Sequence, residues 1–310
     1  MTGYFLRRLL WIIPILWLVT LITFGLMHLV QGGPFEAGSG KSSAAARQAL
    51  ISKYHLDEPV WKQYGYYMGD LLQGDFGPDL VRQGDTVNNI LGQSWRPTVE
   101  LGILTTLYAS IVGIFLGILA AVRRNSVLDY LSVGFATLGA STPNFVLGIM
   151  LVILFAVKLH WLPAVGWSDG ITDWKPAVLP VISLGSLPAA YIARITRASM
   201  LEVMNQDYVR TARAKGLRER VITLRHIVRN AMIPVLTLIG PISAGLLTGS
   251  FVIEYFFAIP GIGRAYVQAI LGRDYPMIMA TTLLYATIIV IANLIVDLLY
   301  AVVDPRIRYS

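Results

Sequence analysis

Side chains that could carry out chemistry are few and scattered in this 310-residue sequence. It contains no cysteine, which excludes a thiolate nucleophile and a disulfide framework. Its four histidines, His28, His55, His160 and His226, are far apart, and neither an HExxH nor a GxSxG pattern occurs. Because no nucleophile–base pair and no metal-ligand spacing can be identified, the sequence argues against an enzyme.

The most distinctive stretch is residues 207–234, which is basic although it lies between two long apolar segments. Good helix formers such as Ala212 and Ala214 predict a short helix, and the carboxylate of Asp207 is expected to cap its first turn. Gly216 should end this helix, because glycine adopts the left-handed conformation of helix ends at low cost. We therefore expect a short helix followed by a tight turn.

A second, amphipathic helix is predicted from Leu217 onwards. Its apolar residues recur on one face, as in a helix that buries a single stripe. The predicted stripe consists of Leu217, Val221, Leu224 and Val228, and a neighbouring polar stripe consists of Arg218, Arg225 and Arg229. Pro234 marks the start of the next apolar run. A short helix, a glycine turn and an amphipathic helix suit docking against another protein at a membrane surface.

The composition is that of a membrane protein. Hydrophobic residues make up 55% of the chain and charged residues 14%, with a mean hydropathy of +0.62, whereas about a quarter of the residues in a soluble protein are charged. Six apolar segments predict membrane helices, and several of them exceed the roughly 20 residues needed to cross the hydrocarbon. The six are residues 9–30, 98–122, 130–157, 177–193, 235–257 and 277–303, of which 177–193 begin the fourth. Pro143 lies inside the third and is expected to kink it.

These segments divide the chain into three parts. Residues 1–30 form a cytoplasmic N-terminus and a first membrane helix, which is too long for the core of a signal peptide. Residues 31–97 are polar and rich in Gly and Pro, and they predict an extracytoplasmic subdomain. Residues 98–310 form the membrane core, and the basic stretch belongs to a predicted cytoplasmic loop within it, residues 201–233.

Positive charge orients the chain. Arg7 and Arg8 precede the first span, Arg123 and Arg124 follow the second, and nine Lys and Arg residues occur within residues 194–229. Because cytoplasmic connections carry an excess of Lys and Arg, this side and both termini are predicted to be cytoplasmic. Anionic lipid headgroups could attract the same loop, but lipid binding does not explain its glycine break. No basic and aromatic platform for nucleic acid is present.

The basic loop also resembles a known sequence motif. Ala212, Gly216 and Pro234 are placed as in the EAA loop of permease subunits in binding-protein-dependent ABC importers. The Glu-Ala-Ala of that family is Arg210-Thr211-Ala212 here, so only the third position and the glycine follow the general pattern. The sequence RTARAKG is similar to loops of the dipeptide and oligopeptide branch. The resemblance implies that the loop forms a coupling helix, which docks on a cytoplasmic ATPase.

The resemblance extends over essentially the whole chain. Similar family signatures are GPF at 33–35, KYHLDEPVWKQY at 53–64, GDFGPDL at 74–80, WLP at 161–163, PGIG at 260–263, RDYP at 273–276 and DPRIRY at 304–309. It implies an all-α polytopic membrane protein of the bacterial inner membrane. The implied architecture is the type I ABC importer permease fold, with six transmembrane helices and an external subdomain between the first two.

The resemblance further implies a permease subunit of an ATP-driven importer rather than an enzyme. Its partners would be a second homologous permease, two cytoplasmic ABC ATPases, an extracytoplasmic solute-binding protein and membrane lipid. No cofactor is expected in this chain, because the ATPases would bind ATP and Mg²⁺. The implied ATPase-coupling residues are Asp207, Tyr208, Arg210, Ala212, Arg213, Lys215 and Gly216. Oligopeptides are the expected substrate, while dipeptides, nickel chelates, glutathione and oligosaccharides stay open as alternatives.

Four polar residues within the apolar segments could line a pathway or pair between helices. They are Asn144, Glu254, Asn293 and Asp297, and an ionisable group inside a membrane is costly unless it is paired or hydrated. A self-contained channel or secondary transporter would need an ion or proton relay there. Because ionisable groups are few and the docking loop would be unexplained, the sequence favours the importer subunit.

Overall fold

The computed structural model describes residues 2–29, 57–80, 82, 84–168 and 173–303. The signatures at 33–35 and 304–309, and much of the predicted extracytoplasmic subdomain, lie outside the described residues. The chain forms two compact units, one from Met1–Thr98 with Pro260–Ser310 and the other from Val99–Ile259. Within the described ranges the regular elements are helices, apart from an isolated bridge between Pro78 and Thr86.

The helices are α1 (Thr2–Leu29), α2 (Val60–Leu72), α3 (Val87–Val122), α4 (Val127–Ser141), α5 (Asn144–Leu151), α6 (Lys175–Met204), α7 (Asp207–Ala214), α8 (Glu219–Leu247), α9 (Phe251–Phe256), α10 (Ile262–Gly272) and α11 (Tyr275–Val303). The π-helical segment Val152–Lys158 continues α5, and a second one, Ile222–Val228, lies within α8. In the described part of the chain, five stretches are long and apolar enough to cross a membrane. They are Leu10–Leu29, Val87–Val122, Lys175–Met204, Glu219–Leu247 and Tyr275–Leu294.

The first unit is built around one face of α1. Thr20, Phe24 and Met27 are buried at spacings of four and three residues, which is the stripe of a helix that packs on one side. Phe24 and Met27 cluster with Met279 of α11. The other side of α1 exposes large apolar side chains. A helix of this kind faces lipid or another apolar surface.

The second unit holds α6 close against α3. An added Cβ at Gly113 would lie 2.7 Å from the carbonyl oxygen of Ala189, and one at Gly102 would lie 2.6 Å from that of Leu246 in α8. Such distances allow no side chain, so these glycines let the helix backbones touch.

The prediction that residues 130–157 form a single kinked helix is wrong. The segment is broken into α4 and α5, and Pro143 between them has the extended conformation φ −56°, ψ 138°. Proline lacks the N–H that a continuing helix needs and disfavours helical geometry in the residue before it. The apolar stretch after the break, Asn144–Lys158, is shorter than the five candidate spans.

The fifth predicted span, residues 235–257, is displaced towards the N-terminus. The observed helix α8 begins at Glu219 and ends at Leu247. Gly249 then adopts a left-handed φ of 74°, and the Ser250 hydroxyl accepts a hydrogen bond from Ile253 N–H to start α9. Hydropathy alone does not detect this turn, because the residues on both sides of it are apolar.

Candidate functional site

The candidate site is α7, which follows α6 after a short turn. Its N-cap is Gln206, which makes no capping side-chain hydrogen bond, so the prediction that Asp207 caps the helix is wrong. Asp207 is instead the first helical residue, 98% exposed, where its negative charge is favourable next to the positive end of the helix dipole. Its carboxylate lies 3.6 Å from the guanidinium of Arg210.

The end of α7 confirms the prediction for Gly216. This residue has a φ of +73°, and its N–H donates to the carbonyl of Arg213 at 2.9 Å. The N–H of Leu217 donates to the carbonyl of Ala212 at 3.4 Å. These two hydrogen bonds form a Schellman motif, in which glycine provides the left-handed residue.

One face of α7 is fixed to the chain itself. Val209 is 0% and Ala212 6% exposed, three residues apart and therefore on the same face. They belong to a cluster of buried residues with Ala121, Met200, Ile222, Ile227 and Ala231, contributed by α3, α6 and α8. Ala212 thus lies in the chain's own core. Its small side chain lets α7 approach the core closely.

The opposite face of α7 is exposed. Asp207, Arg210, Thr211 and Ala214 are all exposed and share this face. Thr211 and Ala214 were not among the predicted contact residues, although the helical period of the sequence was sufficient to find them.

The two sides of α7 are tied down by hydrogen bonds. Arg213 Nε donates to Glu219 Oε1 at 2.9 Å, and the amide of Asn230 donates to the Tyr208 hydroxyl at 3.2 Å. Lys215 is the exposed residue that follows the helix. The helix α7 is therefore held by its buried face and by a hydrogen bond on each flank, and its remaining face is exposed.

The apolar stripe predicted for the second helix is wrong. Leu217, Val221 and Leu224 are 42%, 40% and 59% exposed, whereas Ile222 and Ile227 are buried. The buried pair is five residues apart because Ile222–Val228 is wound as a π-helix, in which hydrogen bonds span five residues. The predicted polar stripe of Arg218, Arg225 and Arg229 is exposed, as expected.

An ion pair joins α4 to α6, the helix that precedes α7. The carboxylate of Asp129, at the start of α4, accepts from Nε and Nη2 of Arg197 at 2.8 and 2.9 Å and from the backbone N–H of Asn125 at 3.0 Å. Arg197 lies on α6, about three turns before α7. The guanidinium holds the pKa of Asp129 below its ordinary value because it stabilises the carboxylate. Sequence analysis missed this pair, since its members are 68 residues apart.

Replacing Asp129 by alanine is expected to lower the free energy of unfolding by about 2 kcal/mol, because the guanidinium loses charged hydrogen bonds. Since folding lowers the pKa of Asp129, this stabilisation is complete at neutral pH and is lost as the pH falls through the pKa of the folded state. Thermal unfolding in detergent, in a double-mutant cycle with Arg197→Met, measures the pair. The exposed pair at Glu219 is the control, and Glu219→Ala should cost only a few tenths of a kcal/mol. Equal losses of unfolding free energy in Asp129→Ala and Glu219→Ala would contradict a stabilising role of the buried Asp129.

The four predicted polar residues lie on three different helices. Asn144 is half-buried in the first turn of α5, and its side chain has no hydrogen-bond partner among the described residues. Glu254 is fully buried in α9, a short helix outside the five candidate spans of the described residues. Asn293 is exposed on α11, and the side chain of Asp297 lies outside the described residues. Their roles in a pathway stay predictions.

A metal site is not formed by the residues that the structure describes, since nowhere do three or more His, Asp or Glu side chains converge. The face of α7 opposite its buried residues exposes an aspartate, an arginine, a threonine and an alanine. They include no nucleophile activated by a base. Exposed polar groups on a helix that is held by its other face can contact another protein.

Comparison with known proteins agrees with this geometry. Residues 113–309 match the family described as binding-protein-dependent transport system inner membrane component, and residues 1–111 match its N-terminal family. The dipeptide transport system permease protein DppB of Bacillus subtilis is 43% identical over 99% of this chain and 98% of its own length. The oligopeptide transport system permease protein OppB of Haemophilus influenzae is 40% identical over 100% of both chains.

The fold has a counterpart among solved structures. The MetNI methionine ABC transporter, in inward-facing conformations, contains a chain that superposes with a TM-score of 0.57 at 18% identity, covering 69% of this chain and 96% of that one. At this identity the likeness concerns the fold alone, which is that of an ABC importer permease. Together with the matches over the full length, it shows that this chain belongs to the family of binding-protein-dependent transport system inner membrane components.

Proposed function

We propose that the chain is one of two permease subunits of an ABC importer that takes up oligopeptides. Relatives at about 40% identity over their full length are named as oligopeptide and dipeptide transport permeases, which supports a peptide substrate. Both termini and α7 lie on the cytoplasmic side, as the positive charge of the short connections favours. A second permease completes the pathway, and an extracytoplasmic binding protein delivers the peptide.

The observation that carries the proposal is the way in which α7 packs on the rest of the chain. Its Val209–Ala212 face is buried in the chain's own core, while its Asp207–Arg210 face is exposed between two candidate spans. A rigidly held helix with a free face can pass a movement of a bound protein to the membrane helices, because packed interfaces switch between discrete arrangements. The exposed Leu217, next to α7, adds apolar surface for such a partner.

The partner of α7 is a cytoplasmic ATPase. The sequence carries no complete phosphate-binding loop, so ATP and Mg²⁺ are bound by separate subunits. Asp207, Arg210 and Lys215 supply the charged contacts, and Tyr208 and Arg213 hold α7 in place. Ala212 and Gly216 act from within the chain, by close packing and by ending the helix.

ATP hydrolysis by the reconstituted complex tests this function. The chain is placed in lipid with its partner permease, ATPases and binding protein, and hydrolysis is compared with and without a pool of mixed oligopeptides. We expect peptide to stimulate hydrolysis severalfold. Stimulation by dipeptides, sugars or metal chelates alone would keep the importer and replace the substrate. Solute flux without ATP would contradict the proposal and indicate a channel.

A further inference from the structure

Helix α2 belongs to the region that the sequence predicts as an extracytoplasmic subdomain, yet it packs on a membrane span. The Tyr64 hydroxyl lies 2.9 Å from the Thr20 hydroxyl of α1, which also donates to the sulfur of Met68 at 3.7 Å. The ring centroids of Tyr64 and Phe24 are 5.2 Å apart. Gln63 Oε1 lies 3.2 Å from His28 Nε2. The contacts of α2 therefore run along α1 from His28 to Thr20.

The position of Thr20 in the membrane can be bounded from two spans. The candidate span of α1 is Leu10–Leu29, with Arg7 and Arg8 before it. The candidate span Tyr275–Leu294 begins at the same level, because the Tyr275 hydroxyl donates to the Met27 carbonyl at 3.2 Å. Thr20 is nine residues from Leu29, which is about 13 Å along a helix. It thus lies deep within the hydrocarbon, whose full thickness is about 30 Å.

The exposed sides of α2 differ in chemistry. Trp61 and Leu72 are eleven residues apart, three helical turns, and lie on one flank with 72% and 83% of their surfaces exposed. Lys62, Asp70 and Gln73 are exposed on the other flank. An amphipathic helix with Trp and Leu on one side and charges on the other is typical of a membrane interface.

We propose that α2 lies in the lipid leaflet on the Leu29 side of α1, with Trp61 and Leu72 against acyl chains and Asp70 towards water. In the orientation proposed above this is the outer leaflet. Lipid is the occupant because α2 packs on a candidate membrane span, and because that span itself exposes Leu18, Leu21 and Ile22 near the depth of Thr20. The helix thus packs against the first span within this leaflet. The inference needs α1 to cross the membrane and is independent of the transported substrate.

The absence of cysteine allows a direct test with single labels. Leu72→Cys and Asp70→Cys are each labelled with a nitroxide in the full complex, assembled with cysteine-free variants of the partner subunits, in nanodiscs of phosphatidylethanolamine and phosphatidylglycerol. We measure collisions with oxygen, which concentrates in lipid, and with a water-soluble nickel chelate. The ratio of oxygen to nickel accessibility should be severalfold higher at 72 than at 70. Leu18→Cys on α1 gives the reference for a lipid-facing site.

Two results would overturn the proposal. Equal nickel accessibility at 72 and 70 would place α2 in water, as part of an aqueous subdomain. Shielding of residue 72 from both reagents would show that another protein covers this flank. Trp61→Cys is the second reporter on the same flank, and it decides the question if Leu72→Cys does not assemble. Neither readout depends on transport activity, so a failed substrate assignment would leave the result intact.

Discussion

Replacing Gly117 by alanine is expected to lower the free energy of unfolding of the complex by about 2 kcal/mol. An added Cβ would lie 2.5 Å from the Cβ of Thr196 and 2.6 Å from the carbonyl oxygen of Ala193, both on α6. Carbon atoms in favourable contact are about 3.5–4.0 Å apart, so α3 and α6 would have to separate by roughly 1 Å. The backbone oxygen cannot rotate away as a flexible side chain could. Thermal unfolding in detergent measures the loss.

The matched control is Gly92→Ala in the same helix. An added Cβ there meets nothing within 4 Å, so no contact opposes it. Alanine is the better helix former by about 1 kcal/mol, and this variant should be as stable as the wild type or slightly more stable. The same gain is present in Gly117→Ala, where the clash outweighs it. Equal unfolding midpoints for the two variants would contradict the close packing of α3 on α6.

The five candidate spans could be located from the sequence because each one contains a long apolar run, and hydropathy needs no knowledge of packing. Their ends could not. The helix α3 begins at Val87, before the polar and charged residues that were assigned to an external region. Such residues are tolerated in a helix that extends beyond the hydrocarbon. The sequence predicted a kink at Pro143, and the structure has a complete helix break there. A proline kinks some helices and ends others, according to tertiary contacts.

The candidate site was predictable where a single residue determines the backbone. Gly216 was identified because a left-handed helix end strongly favours glycine. The buried stripe of α8 was missed because a period of 3.6 residues was assumed where the chain is π-wound. The pairing of Asp129 with Arg197 depends on the distance between two helices, which no local pattern encodes. Local chemistry therefore located α7, while its support comes from contacts between helices.

Replacing Gly216 by valine is expected to uncouple ATP hydrolysis from transport. Nothing lies within 4 Å of an added Cβ, so the effect is one of backbone conformation and not of space. At a φ of +73° a residue with a Cβ costs about 1–2 kcal/mol, and a β-branched one is the least tolerated. The hydrogen bonds of Gly216 and Leu217 to the end of α7 should weaken. The ratio of peptide-stimulated to basal hydrolysis should fall towards one, and Gly216→Asn should restore much of it.

Gly74 provides the matched control for this prediction. It ends α2 with the same Schellman motif, at a φ of +79°, with its N–H bonded to the Leu71 carbonyl and that of Asp75 bonded to the Asp70 carbonyl. Nothing lies within 4 Å of an added Cβ here either. Gly74→Val therefore imposes the same strain away from α7, and peptide should still stimulate hydrolysis. If both variants lost stimulation equally, general destabilisation would explain the result, whereas normal stimulation in Gly216→Val would show that the geometry of this helix end is not needed for coupling.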